Sequence, residues 1–187
     1  MSATTPRRKL LQAVVDHALG NGLGDTSLRH LAGAIGTSHR MLIFHFGSRE
    51  SLLVEVTREV EERQRRLLAE LRRASTGDPF EVGRALWEHL CDPALAPQER
   101  LFFELYGQAL QGRRFAQPLL EGIVEDWLAP VAEMLEAAGA APATSLADAR
   151  LMVAVTRGLL LDLLATGDRE AVRAAMDRFA EIYARAA

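Results

Sequence analysis

The chain has 187 residues, 49% of them hydrophobic and 25% charged, enough for one sizeable core or a small domain joined to a larger one. The longest near-apolar stretch, Leu151 to Ala165, is broken by Thr156, Arg157 and Asp162 and falls short of the about 20 residues that cross a bilayer. Cys91 stands alone, which excludes an intrachain disulfide, and no apolar signal region follows Met1, so a cytoplasmic protein without a membrane partner is expected.

The net charge of −3 is divided unevenly. Residues 1–49 hold six Lys/Arg against two acids, and residues 50–187 hold sixteen against twenty-three. From Thr26 to Arg49 there is no Asp or Glu, where even scatter would place about three. A basic end beside an acidic remainder points to a polyanion meeting the basic end.

Helical spacing recurs along the whole chain, and no segment alternates like a strand. Leu11, Val14, Val15, Ala18 and Leu19 line one face of a first helix, closed by Gly20-Asn21-Gly22. Thr26 or Ser27 caps a short second helix running to Ile35, with Leu28, Leu31, Ala32 and Ile35 apolar. Gly36 breaks it. Ser38 caps a third helix to about Phe46, and Gly47 stops that one. Ser48 then opens a fourth helix to about Arg73, with Leu52, Leu53, Val56, Val60, Leu67, Leu68 and Leu71 as its apolar stripe. At 1.5 Å per residue it spans about 39 Å, enough to link two parts of a protein.

Asp78-Pro79-Phe80-Glu81 reads as a capping box with Pro at the first helical position. Its helix carries Leu86, Trp87, Leu90 and Cys91 and stops before Pro93. Another is expected from about Pro97 to Gln111, ended by Gly112. A long helix is expected from near Pro118 to Ala138, kinked at Pro130. Leu151 to Ala165 is apolar nearly all round, which predicts burial on more than one face. After Gly167, Asp168 caps a last helix with Val172, Met176, Phe179 and Tyr183 in register. The fold class is all-α: a three-helix head at 1–49, joined by a long helix to a larger helical body at 50–187. The terminal pair is expected to form a homodimer interface through Leu151, Val155, Leu159, Val172, Met176, Phe179 and Tyr183, the other reading being that it completes the monomer core.

Two short helices joined at Gly36 have the spacing of a helix-turn-helix. With Leu31, Ile35 and Leu42 turned inward, His39, Arg40, Ile43 and Phe44 face outward. A helix in the DNA major groove runs between two rows of phosphates, so an acid-free window suits it. Helix N-termini near Ser27, Ser38 and Ser48 offer free N–H groups to phosphate. Arg7, Arg8 and Lys9 read as a basic arm that lies on the backbone or enters the minor groove. Double-stranded DNA is therefore the expected partner.

The segments "LLQAVVDHAL", "TSLRHLAGAIGTS" and above all "LIFHFGSRESLL" resemble the DNA-binding head of the tetracycline-repressor (TetR) family of bacterial regulators. The resemblance covers about residues 8 to 56, and the remainder resembles that family's ligand-binding and dimerisation body in helix count and order. By resemblance, Ser27 and Arg29 contact phosphate and sometimes a base. His39, Arg40, Met41 and Phe44 match the base-reading positions of the recognition helix. His45 matches a position near the backbone, and Arg49 matches a phosphate-contacting Lys. Three positions depart from the pattern: Ile43 stands where the family has Tyr, Arg40 where a small residue is common, and Thr37 where Val is usual. Arg40 has the reach for guanine O6 and N7, or for a further phosphate.

The resemblance also implies a small-molecule effector, for which Trp87, His89, Phe103, Tyr106, Gln108, Trp127 and Asp162 are the candidate lining, and a ligand-released repressor acting on an inverted repeat. An all-α enzyme and an architectural DNA-binding protein are the competing readings. No P-loop, G-x-S-x-G or H-E-x-x-H sequence occurs, and the five histidines show no i,i+3 or i,i+4 pairing, so neither an enzyme nor a metal or other cofactor is expected.

Overall fold

A computed structural model describes residues 5–21, 26–74 and 79–186. Among them are nine α-helices, two short 3-10 helices and no strand. The turn expected at Gly22 and the cap expected at Asp78 lie outside the described residues, as do the side chains of Leu19, Pro79 and Phe80. Packing divides the chain into two compact units, residues 1–62 with 97–121 and residues 63–96 with 122–187.

The first unit begins with α1 (Pro6–Asn21), α2 (Leu28–Ala34) and α3 (His39–Phe46). Helix α1 buries Val14, Val15 and Ala18. The caps fall at the expected serines: Ser27 Oγ accepts from His30 N at 3.3 Å and Ser38 Oγ from Met41 N at 3.2 Å, each satisfying a donor that the first helical turn leaves open. Gly36 has φ +71, and a Cβ there would meet nothing within 4 Å. Glycine is thus needed for the left-handed turn, not for space. Ser48 Oγ accepts from Ser51 N at 3.0 Å at the start of α4 (Arg49–Ala74), which buries Leu52, Leu53, Val54 and Val56 in its first two turns. Helix α6 (Ala96–Leu110) adds Phe102, Leu105 and Ala109 to the buried set.

The second unit holds the end of α4 with α5 (Pro79–Leu90), α7 (Glu125–Ala137), α8 (Ser145–Thr166) and α9 (Arg169–Ala186). Its core joins Leu68 of α4 and Val82 of α5 to Trp127, Val131 and Leu135 of α7, Ala149 of α8 and Tyr183 of α9. Arg72 of α4 donates to the Pro130 carbonyl and to Glu133, and Arg65 lies 5.9 Å from the Trp127 ring centroid. The α4 arginines thus hold α7 by both backbone and ring.

The long helix expected from Pro118 to Ala138 is two pieces, a 3-10 helix over Gln117–Leu120 and α7 from Glu125. Gly122 separates them at φ +74. A Cβ there would lie 2.5 Å from an Asp126 carboxylate oxygen, a side-chain end that can move aside, so it is the backbone conformation that demands glycine. The Ile123 carbonyl, released from helical bonding, accepts from the Arg157 guanidinium of α8. The partner that stabilises the break is 34 residues away, beyond the reach of local periodicity.

Helix α9 is capped by Asp168, whose Oδ1 accepts from Ala171 N at 3.0 Å, after Gly167 turns the chain at φ +72. Its stripe turns toward the unit's own interior: Val172 and Tyr183 are buried, and Met176 and Phe179 half-buried. Val172 and Tyr183 are therefore covered by the chain itself. Helix α8, expected to bury more than one face, is covered only in part by the chain itself. It buries Ala149 and Leu160 but leaves Leu151 and Leu161 about half exposed, at 49% and 51%, while Val155 and Leu159 are half-buried.

Burial and the Asp148 carboxylate raise the Tyr183 pKa above its ordinary 10.0, and the hydroxyl donates to that carboxylate. Tyr183→Phe is expected to cost about 1–2 kcal/mol in urea unfolding at pH 7. A raised pKa stabilises the protonated folded form, so this contribution is full below pH 10.0 and is lost as pH rises through the shifted value. The gap between wild type and variant should accordingly close in strong alkali.

Candidate nucleic-acid interface

Helix α3 has eight residues and buries one face. Leu42 is fully buried and Phe46 nearly so, against a neighbouring α2 that buries Leu28, Leu31 and Ala32. The small Ala32 lets the two helices approach, and its carbonyl accepts from Thr37 N at 2.8 Å, closing the turn. Gly47 at φ +79 ends α3, its N–H returning to the Ile43 carbonyl at 2.8 Å.

At 100° per residue, burying 42 and 46 leaves 40 and 44 on the opposite side, flanked by 41 and 43. His39 and Arg40 are exposed, Met41 and Ile43 are 40% and 39% exposed, and Phe44 is 77% exposed. Met41, Ile43 and Phe44 together make an apolar patch beside Arg40, and such patches mark interaction surfaces. Arg40 and Phe44 offer a guanidinium fork for a guanine edge and an apolar ring for a thymine methyl. No carboxylate lies on α2 or α3, so the displayed field is positive.

The remaining predicted residues divide into two groups. Arg29 is exposed on α2, and Arg8 and Lys9 are exposed on α1. Residues 7–9 are the first turns of α1 and not an extended arm, because the helix already starts at Pro6. Arg7 is exposed as well, yet it is held by the protein: it pairs with Glu55 of α4, donates from Nε to the His45 carbonyl at 3.3 Å and lies 5.2 Å from the Phe46 ring centroid. Arg49 donates from Nε to the Thr26 carbonyl at 3.1 Å, tying the start of α4 to the segment that enters α2. His45 is half-buried with its ring 5.0 Å from that of Phe44, edge to face. Ser27 and Ser38 accept at the caps through an oxygen lone pair, which leaves each O–H able to donate.

The residues proposed to line an effector site fall in both units. Phe103, Tyr106 and Gln108 are half-buried on α6 in the first. In the second, Trp87 and Trp127 are buried, while His89 and Asp162 are exposed. A polar set that the sequence reading passed over is buried as well: Thr57, Glu61 and Gln64 on α4, and Gln98 and Glu99 opening α6. The signal was available, since 53, 57, 61, 64 and 68 share one face of a helix. The apolar stripe seen in the sequence skips from Val60 to Leu67, and Glu61 and Gln64 fill that gap.

No family model matches the chain, and no curated protein matches it in sequence. Solved structures do. A TetR transcriptional regulator from Legionella pneumophila is 20% identical with a TM-score of 0.62, over 96% of this chain and 99% of that one. A protein from Saccharomonospora viridis described as a transcriptional regulator, in complex with choline, is 21% identical with a TM-score of 0.68, over 94% and 95%. The multidrug binding protein EbrR complexed with proflavin is 25% identical with a TM-score of 0.56, over 92% and 98%. With its helix-turn-helix followed by a long α4 and a helical body, this chain has the fold of the TetR-type transcriptional regulators.

Proposed function

We propose that the protein is a sequence-specific DNA-binding transcriptional regulator and not an enzyme. In this reading it is a homodimer bound to an inverted repeat and released as a repressor by a small molecule. The DNA-binding part is residues 1–49, and the remainder binds the effector and the second copy. The observation that carries this reading is the outward face of α3, where Arg40 and Phe44 stand exposed because Leu42 and Phe46 are buried.

In a binding titration against duplexes selected from a random pool, the wild-type chain is expected to prefer a short inverted repeat over random duplex. Arg40→Ala should lower that preference by about 1–3 kcal/mol at one base position if the guanidinium reads guanine. If it meets phosphate instead, affinity falls for every duplex and the log K against log[salt] slope drops by about 1. Phe44→Ala should weaken operator binding while unfolding stability stays within about 0.5 kcal/mol, since its ring is already exposed. Equal affinity for all duplexes by the wild type contradicts the proposal.

Self-association is supported by α8. Ala147, Leu151, Ala154, Gly158, Leu161 and Ala165 are all exposed and alternate at three- and four-residue steps, the spacing of a helix–helix seam. Small residues at four of the six places let a second helix approach closely. Ile182 of α9, 53% exposed, adds to the apolar surface. Leu161→Glu should convert a dimer to a monomer by light scattering with helix content unchanged. A variant that keeps the wild-type mass would remove α8 from the interface.

Effector binding is supported by the ligand complexes among the similar structures and by the half-buried Phe103 and Tyr106 on α6. A compound found by thermal shift should loosen the operator complex. Stabilisation of the chain with no loss of operator affinity would argue against release.

A further inference from the structure

Three cations open α1, at Arg7, Arg8 and Lys9, and its first turn holds no acid. That arrangement opposes the helix dipole, which favours negative charge at an N-terminus, so each cation gains from a nearby anion. For Arg8 and Lys9, exposed to solvent, phosphate is one such anion. Arg7 already has its own within the fold.

We propose that Arg7 is a positioning residue for the recognition helix and not a DNA contact. Its guanidinium joins three helices. It pairs with Glu55 of α4, and its Nε donates to the carbonyl of His45 at 3.3 Å. That carbonyl belongs to the last turn of α3, where C=O groups have no partner within the helix and where a cation complements the dipole. The same guanidinium lies 5.2 Å from the centroid of Phe46, one of the two side chains that seat α3 in the core. An exposed ion pair alone contributes little. Here the pair aims a planar fork that caps a helix end and covers a ring at once, which an ammonium could not do. Arg7 thereby sets the angle at which Arg40 and Phe44 are presented.

This inference rests on the DNA-binding reading, but the sign of one effect separates it from a phosphate contact. Glu55→Gln removes an acid beside the basic face. If Arg7 bound phosphate, that change would release it and tighten binding. If Arg7 positions α3, the change loosens it and weakens binding. The experiment measures operator affinity across a salt series for wild type, Arg7→Gln, Glu55→Gln and the double variant of the full chain.

The expected result is a loss of about 5- to 10-fold for each single variant, of the size of one ordinary net hydrogen bond. The salt slope should be unchanged, and the double variant no worse than either single one. A slope lower by about 0.9 in Arg7→Gln, or tighter binding by Glu55→Gln, overturns it. Should the wild type prefer no duplex at all, the DNA reading fails by itself. The same four proteins then decide the clip by urea unfolding, where non-additive losses support it and additive ones overturn it.

Discussion

An eight-residue helix can bury only one side, and α3 spends that side on Leu42 and Phe46. Much of the first unit serves this constraint. Ala32 is small so that α2 can lie close, Gly36 takes a conformation that other residues resist, and Ser38 closes the open N-terminus. Gly47 ends the helix before α4 begins two residues later. With those settled, the direction of Arg40, Ile43 and Phe44 is no longer a free variable. The large apolar ring left 77% exposed next to an arginine is the feature on which the DNA-binding proposal rests.

The cations of the basic segment do two kinds of work that the sequence alone does not separate. Composition counts six of them before residue 50 and treats them as one field. In the structure Arg7 and Arg49 hold backbone carbonyls at His45 and Thr26, at the end of α3 and the entrance to α2. Arg8, Lys9, Arg29 and Arg40 remain exposed. Arg7, with 47% of its side chain exposed, still adds to the positive field, so its tie to α3 and α4 comes on top of that field and does not replace it.

What could be read in advance was what depends on near neighbours along the chain. The serine caps at 27, 38 and 48, the aspartate cap at 168 and the glycine stops at 36, 47 and 167 fell where turn chemistry puts them. The outward set on α3 followed from period alone. What escaped was set at long range. The break at Gly122 depends on Arg157, 34 residues on. Periodicity identifies an apolar face on α9 without saying which neighbour takes it up, so a partner and the chain's own core stayed as two readings; within the chain Val172 and Tyr183 are buried. The exposed row on α8 was hidden by the uniform apolarity of Leu151 to Ala165, and only exposure distinguishes Leu161 from Leu160.

The central claim is that two copies of α3 read two major grooves on one face of DNA. Hydroxyl-radical footprinting of the full chain on its selected duplex tests it most directly. The account predicts two protected patches related by a dyad, their centres about 34–36 Å or one helical turn apart, both lost in a variant without the Phe44 ring. A single patch, or protection that follows the backbone without a fixed position, would contradict it.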